Sequence, residues 1–142
     1  MTTQWGLTVR GICEFKRKIL LLKIRPESHH NPGKWEIPGG KVKKSEFFDE
    51  ALKREFQEET NLEINIESLY NLVENEYKAC KTSEIIKSIQ LIMKVTCKTN
   101  KVKLSEEHDD YGWFSKEEVK KMINEELLTP PAINAFEKLK FQ

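Results

Sequence analysis

The chain has 142 residues and a mass of 16.7 kDa, which suits one compact domain with its own core. Lys and Arg number 24 against 23 Asp and Glu, a net charge of +1, and 38% of the residues are apolar. This balance excludes a polycationic nucleic-acid coat, an acidic tail and a polybasic membrane anchor. The longest aliphatic run, Ile19-Leu20-Leu21-Leu22, falls far short of the ~20 apolar residues of a membrane-spanning helix.

Met1 to Trp5 lacks the basic-then-apolar order of a secretory signal. Cys13, Cys80 and Cys97 are scattered and form no C-x-x-C pair, so they read as reduced thiols of a cytoplasmic protein and not as zinc ligands. Leu7 to Glu14 and Lys18 to Ile24 predict two strands joined by a short turn. Arg25 to Lys34, with Pro26, Asn31, Pro32 and Gly33, predicts a loop. Trp35 to Ile37 reads as a short strand stopped by Pro38-Gly39-Gly40. Ser45 is the expected cap of a helix running from Glu46 to Thr60. Leu62 to Val73 and Glu84 to Cys97 follow as strands, with Lys98 to Lys101 as a hairpin turn. Tyr111 to Phe114 is a further short strand. Ser115 with Glu118 matches a capping box for a helix to about Asn124. Thr129-Pro130-Pro131 opens a last helix with Ile133, Phe136 and Leu139 on one side. Strands and helices mix without a regular βαβ repeat, which predicts an α+β fold, or a sheet with helices on both faces.

The helix from Glu46 carries a conflict. At about 100° per residue, with Glu55 at zero, Phe48, Ala51, Leu52 and Phe56 define an apolar face. Glu58 and Glu59 fall at about −60° and 40°, on that same side. Like charges one turn apart repel, acids near a helix C-terminus oppose its dipole, and carboxylates facing a core lose hydration. One divalent cation relieves all three, and hard oxygen ligands favour Mg²⁺ or Mn²⁺. A surface helix with its glutamates paired to lysines is the alternative. Residues 46 to 59 hold six acids and two bases, a local net of −4 inside a chain of net +1.

Residues 40 to 62 read G-KVKKS-E-FFDEALK-R-E-F-Q-E-E-T-N-L. This resembles the Nudix box, G-x5-E-x7-R-E-U-x-E-E-x-G-U, where U is a bulky apolar residue. Gly40, Glu46, Arg54, Glu55, Glu58 and Glu59 match in place, as do Phe56 and Leu62. Asn61 stands where the family has glycine, and asparagine also tolerates the left-handed conformation at a helix end. The resemblance implies a single Nudix domain over residues 1–142. It implies an α/β/α sandwich around a mixed sheet, and a hydrolase that cleaves the diphosphate of a nucleoside diphosphate derivative. It assigns metal contacts to Gly40, Glu55, Glu58 and Glu59, adds Glu107 as a further ligand or the base, and makes Arg54 the residue that orients a box glutamate.

Substrate choice is less marked. Arg25 and His30 stand at spacings before Gly39 similar to a basic residue and a histidine of the MutT branch, which hydrolyses nucleoside triphosphates, oxidised guanine nucleotides included, to a monophosphate and pyrophosphate. Pro130-Pro131-Ala132 resembles a segment there that is followed directly by a base-recognising asparagine; here Ile133 intervenes, and Asn134 reads either as that residue or as an exposed residue of the last helix. Tyr77 lies in the region where other members choose ADP-ribose or dinucleoside polyphosphates, and these remain alternative substrates. Trp35 is a candidate for stacking on a base. A silent nucleotide sensor is the competing class, although such a module would be expected to lose box glutamates. The expected partner is a small nucleotide. No basic stripe with interleaved aromatics points to nucleic acid, and a monomer and a homodimer both stay open.

Overall fold

The computed structural model describes residues 3–79 and 81–137. Its elements are β1 (Thr3–Phe15), β2 (Lys18–Ile24), β3 (Trp35–Glu36), β4 (Gly39–Lys41), α1 (Phe48–Thr60), β5 (Ile64–Lys78), β6 (Ile85–Cys97), β7 (His108–Phe114), α2 (Lys116–Asn124) and α3 (Pro130–Glu137). The expectations for Met1, Thr2, Cys80 and Leu139 lie outside the described residues.

The strands form one mixed sheet in the order β3-β2-β1-β6-β5, with β4 also on β1 and β7 also on β2. β1 and β6 run parallel from Thr3↔Ile85 to Glu14↔Thr96; the other pairs are antiparallel. β2 shows why both faces must be covered. Ile19 and Leu21 enter one core with Val119 and Met122 of α2 and Ala132, Ala135 and Phe136 of α3. Leu20 and Leu22, pointing the other way, enter a second core with Ala51, Leu52 and Phe56 of α1. Strand alternation thus turns a continuous apolar run into a sheet between two helical layers. The α+β expectation holds.

The sheet splits beside the box segment. β2 stays paired to β1 for only Glu14↔Ile19 and Phe15↔Lys18, and then diverges. β4 takes its place, opposite Thr8, Val9 and Arg10. The sheet therefore splits into two leaves, β5-β6-β1-β4 and β3-β2-β7, with the segment around Pro38 crossing between them. Gly11 N–H donates to Pro38 O at 2.9 Å at that crossing.

Four local expectations are corrected. The first helix begins at Phe48, with Phe47 and not Ser45 as its cap. Glu46 is pulled out of the helix by Arg54, and the Glu50 carboxylate accepts the Phe47 N–H at 3.0 Å, which supplies the capping bond. The wheel placed Phe48 inside, but the first turn overhangs the core and Phe48 is 38% exposed. Gly39-Gly40 do not merely stop a strand; they form β4. Lys98 to Lys101 is not a hairpin turn, because the strand that follows it pairs with β2 and not with β6. Residues 98–107 instead run across the second core, where Val102 and Leu104 pack, tied down by Lys103 N–H to Thr60 O at 3.0 Å and by the indole N–H of Trp113 to Asn100 O at 3.1 Å.

Candidate active site

The site grows from two glycines. Gly39 N–H donates to Glu59 Oε1 at 3.0 Å. A methyl group built on Gly40 would lie 2.4 Å from the carboxyl carbon of Glu55, so a side chain there would displace that carboxylate from its place against β4. Ala51, Leu52 and Phe56 press the other flank of α1 into the core, which leaves the helix no freedom to back away.

Arg54 organises the flank of this helix. Its Nε and Nη2 grip both oxygens of Glu46 at 2.6 and 3.0 Å, the geometry of a bidentate pair. Nη1 reaches Glu55 Oε1 at 2.8 Å and Glu58 Oε2 at 3.3 Å, and Nη2 also donates to Lys41 O at 3.1 Å. The Arg54 hydrogen bonds, helped by the backbone of Lys43, draw the Glu46 carboxyl down to about 2. Arg54 itself is pushed above its ordinary value, chiefly by Glu46. Glu46, eight residues before Arg54, is thus a strut for it.

The remaining carboxylates are strained electrostatically. Glu59 is 4% exposed, and burial, then the charge of Glu36, push its carboxyl well above the usual range, against the Gly39 hydrogen bond. Burial also raises Glu55; Arg54 opposes this, while Glu58 and Glu107 add to it. Ligating atoms of Glu59, Glu107 and His108 all lie within 4.8 Å of one another. This convergence, the glycine cradle and the oxygen-rich donor set fit a divalent cation, whose charge would reverse the upward shifts.

A cleft of about 910 Å³ opens beside this cluster. Of the residues singled out from the sequence, Gly40, Glu107, Arg25, His30 and Tyr77 line it. His30 and Tyr77, from the 25–34 loop and the end of β5, meet edge to face across it with ring centroids 5.3 Å apart. Arg25 Nε donates to Glu106 O and Arg25 N–H to Glu107 O, tying the loop to the Glu107 segment. Glu58, expected on the apolar side of the helix, instead points outward toward Arg54 with its side chain 56% exposed, because at its angle on the helix it lies past the edge of the core. Trp35 is not in the cleft lining; it packs against Phe114 on the α2–α3 side of the sheet, at 5.2 Å between ring centroids. Asn134 is exposed on α3, also outside that lining.

Sequence reading missed a polar group on the cleft floor. Arg10 Nε donates to Gln90 Oε1 at 2.8 Å, and Nη1 to Ile37 O at 2.8 Å and Glu36 Oε1 at 3.3 Å. His108 Nε2 lies 2.6 Å from Glu36 Oε2, while its Nδ1 is buried and has no partner among the described residues. Burial would raise the Glu36 carboxyl, but the hydrogen bond from His108 and the charge of Arg10 outweigh it and hold it below the usual range. The signal was available: Arg10, Glu36 and Gln90 are polar residues inside short runs that otherwise read as buried strand.

Fold and site together define an α+β protein with a cluster of Glu59, Glu107 and His108 beside an open cleft. A family model described as the NUDIX domain matches residues 3–136. Nucleoside triphosphatase NudI of Escherichia coli K12 is 31% identical over 105 residues, covering 70% of this chain and 74% of that protein. Among solved structures, the MutT protein from Methanosarcina mazei Go1 superposes with a TM-score of 0.83 at 29% identity, covering 99% of this chain and 96% of that one. The E. coli ORF135 protein follows with 0.73 at 26% identity, covering 98% and 91%. The chain belongs to the Nudix hydrolase family, and its architecture is the Nudix fold. No helix among the described residues is long and apolar enough to cross a membrane.

Proposed function

We propose that this enzyme hydrolyses (deoxy)nucleoside triphosphates, oxidised purine nucleotides among them, to a monophosphate and pyrophosphate. The observation that carries the reading is the convergence of Glu59 and Glu107 beside a nucleotide-sized cleft that Glu107 and Gly40 line. The likeness to a protein named as a nucleoside triphosphatase supports the triphosphate over other diphosphate derivatives.

Glu55, Glu59, Glu107 and the carbonyl of Gly40 would hold Mg²⁺, or Mn²⁺ in its place, with Glu58 at the rim. Such a cation offsets the charge of the diphosphate and acidifies water. Arg54 keeps the Glu55 carboxylate turned toward the cation site. Glu107, exposed on the cleft wall, is suited to accept the proton of the attacking water. Arg25, Lys41 and Lys81 line the same cleft and would meet phosphate oxygens. His30 and Tyr77 would flank the nucleoside. A reducing cytoplasmic setting suits the free thiols of Cys13 and Cys97.

The test is a nucleotide panel with and without Mg²⁺, read as phosphate released after added pyrophosphatase. Metal-dependent turnover of triphosphates with equimolar monophosphate supports the proposal. Turnover confined to ADP-ribose or dinucleoside polyphosphates replaces the substrate class, and nucleotide binding without turnover makes the protein a sensor.

A further inference from the structure

The face of the sheet that carries the α2–α3 core changes character along its length. Ile12 of β1 and Ile92 of β6 lie under those helices. Two and four residues earlier on the same face come Arg10 and Thr8 of β1, and Gln90 and Ser88 of β6, which line the open cleft. These are buried polar groups on an otherwise apolar sheet: Gln90 is 3%, Ser88 4% and Thr8 7% exposed. Thr8 and Ser88 bond each other at 3.2 Å.

The donor pattern on this floor is determined. Arg10 Nε can only donate, so the Gln90 oxygen must face it and the Gln90 amide nitrogen is turned away. That nitrogen and Arg10 Nη2 have no protein partner among the described residues. Glu36, on the other side of Arg10, accepts from Arg10 and His108 and keeps lone pairs to spare. Arg10 and Glu36 also cancel each other's charge, which makes the floor a poor place for a phosphate and a good one for a neutral, polar heterocycle. Phosphate-seeking charge sits elsewhere in the cleft, on Arg25, Lys41 and Lys81.

Resting on the triphosphate reading above, the geometry points to a floor that selects nucleobases with a lactam edge, –NH–C(=O)–, through donors on Gln90 and Arg10 and an acceptor on Glu36. Guanine, hypoxanthine, uracil and thymine present that edge. Adenine and cytosine present the inverse, a ring nitrogen lone pair beside an amino group. Placed on this floor in the same orientation, the lone pair would face a carboxylate and the amino group would face other donors, leaving buried groups unpaired; turning the base over would restore the pairs only by swinging its glycosidic bond away from the cluster of Glu59 and Glu107.

Two substrate pairs isolate the edge: ITP against ATP, which differ at purine positions 1 and 6, and UTP against CTP, which differ at pyrimidine positions 3 and 4. In wild-type enzyme with Mg²⁺, kcat/KM should favour the lactam member of each pair by at least ~5-fold, the discrimination of one well-placed hydrogen-bonded pair. Gln90→Met removes the amide donors and should shrink both ratios, whereas damage to the fold lowers both members of a pair alike. A wild-type preference below fivefold in either pair, or one for the amino member, overturns the inference and leaves the hydrolase standing. If no triphosphate is turned over, the functional reading falls; the inference is then judged by thermal shifts with IMP and AMP, and equal shifts overturn it.

Discussion

A methyl group on Gly40 and the carboxyl carbon of Glu55 cannot both keep these positions, because only 2.4 Å would separate them. Gly40→Ala is therefore expected to push α1 or the Glu55 side chain aside. The cost in stability is that of overpacking, about 1–3 kcal/mol. Metal-dependent turnover should fall at least ~10-fold, since misplacement of a reacting group is costly. Steady-state kinetics with a metal titration would check this; wild-type values for kcat and for the half-saturating Mg²⁺ concentration would refute the seating role of the glycine.

Glu59→Gln should lower kcat by at least ~10²-fold with the fold retained. Mg²⁺ should raise the melting temperature of wild type and not that of the variant. Equal shifts in both would put the metal elsewhere.

The raised Glu59 carboxyl carries a signed pH dependence. Its proton is held more tightly in the folded state than in the unfolded one. The contribution is fully present below the ordinary carboxylate range and is lost as pH rises through the folded value. Metal-free wild type should thus lose stability relative to Glu59→Gln as pH rises from about 4 toward neutrality and above, and Mg²⁺ should restore it at the upper end. Parallel melting curves across that window would refute the assignment.

Glu46 has the opposite sign. Arg54 depresses its carboxyl to about 2, so its contribution is present above the ordinary range and is lost as pH falls toward that value. Arg54→Lys replaces a fork with a point charge and cannot hold Glu46 and Glu55 together. It should cut kcat about 10-fold or more, the scale of losing a positioned group, with KM little changed. A mainly KM effect would mean that Arg54 binds substrate instead.

Asn61 adopts the left-handed conformation at the end of α1, at φ 61° and ψ 22°, and its Oδ1 accepts from Gln57 Nε2 at 2.7 Å. Asn61→Gly should leave activity intact. Asn61→Ala should cost about 1 kcal/mol, which chemical denaturation can resolve.

The box helix was legible because its spacing answers to a single local constraint, the helical repeat. Glu55 and Glu59 fall where that repeat puts them, and the cap of α2 at Ser115 with Glu118 followed the capping-box pattern. The wheel erred where tertiary context took over, at the overhanging Phe48 and at Glu46, which Arg54 pulls from eight residues away. The loop at 98–107 was misread because its apolar residues serve a core that no local pattern announces. The polar residues Arg10, Glu36 and Gln90 stood out singly in apolar runs, but their grouping with His108 did not, because the members come from four strands and only the pairing of those strands brings them together.

The distance along the chain between the box helix and the β5–β6 ribbon also has a consequence for how such a protein changes over generations. The box carboxylates belong to one short stretch of chain locked against Gly39 and Gly40, while Ser88 and Gln90 ride on the long β5–β6 ribbon. If the floor reads the base as proposed, mutations in the ribbon would alter which nucleotide is accepted and leave the hydrolytic helix untouched. Diversity of diet and constancy of chemistry would then be inherited in part through separate segments.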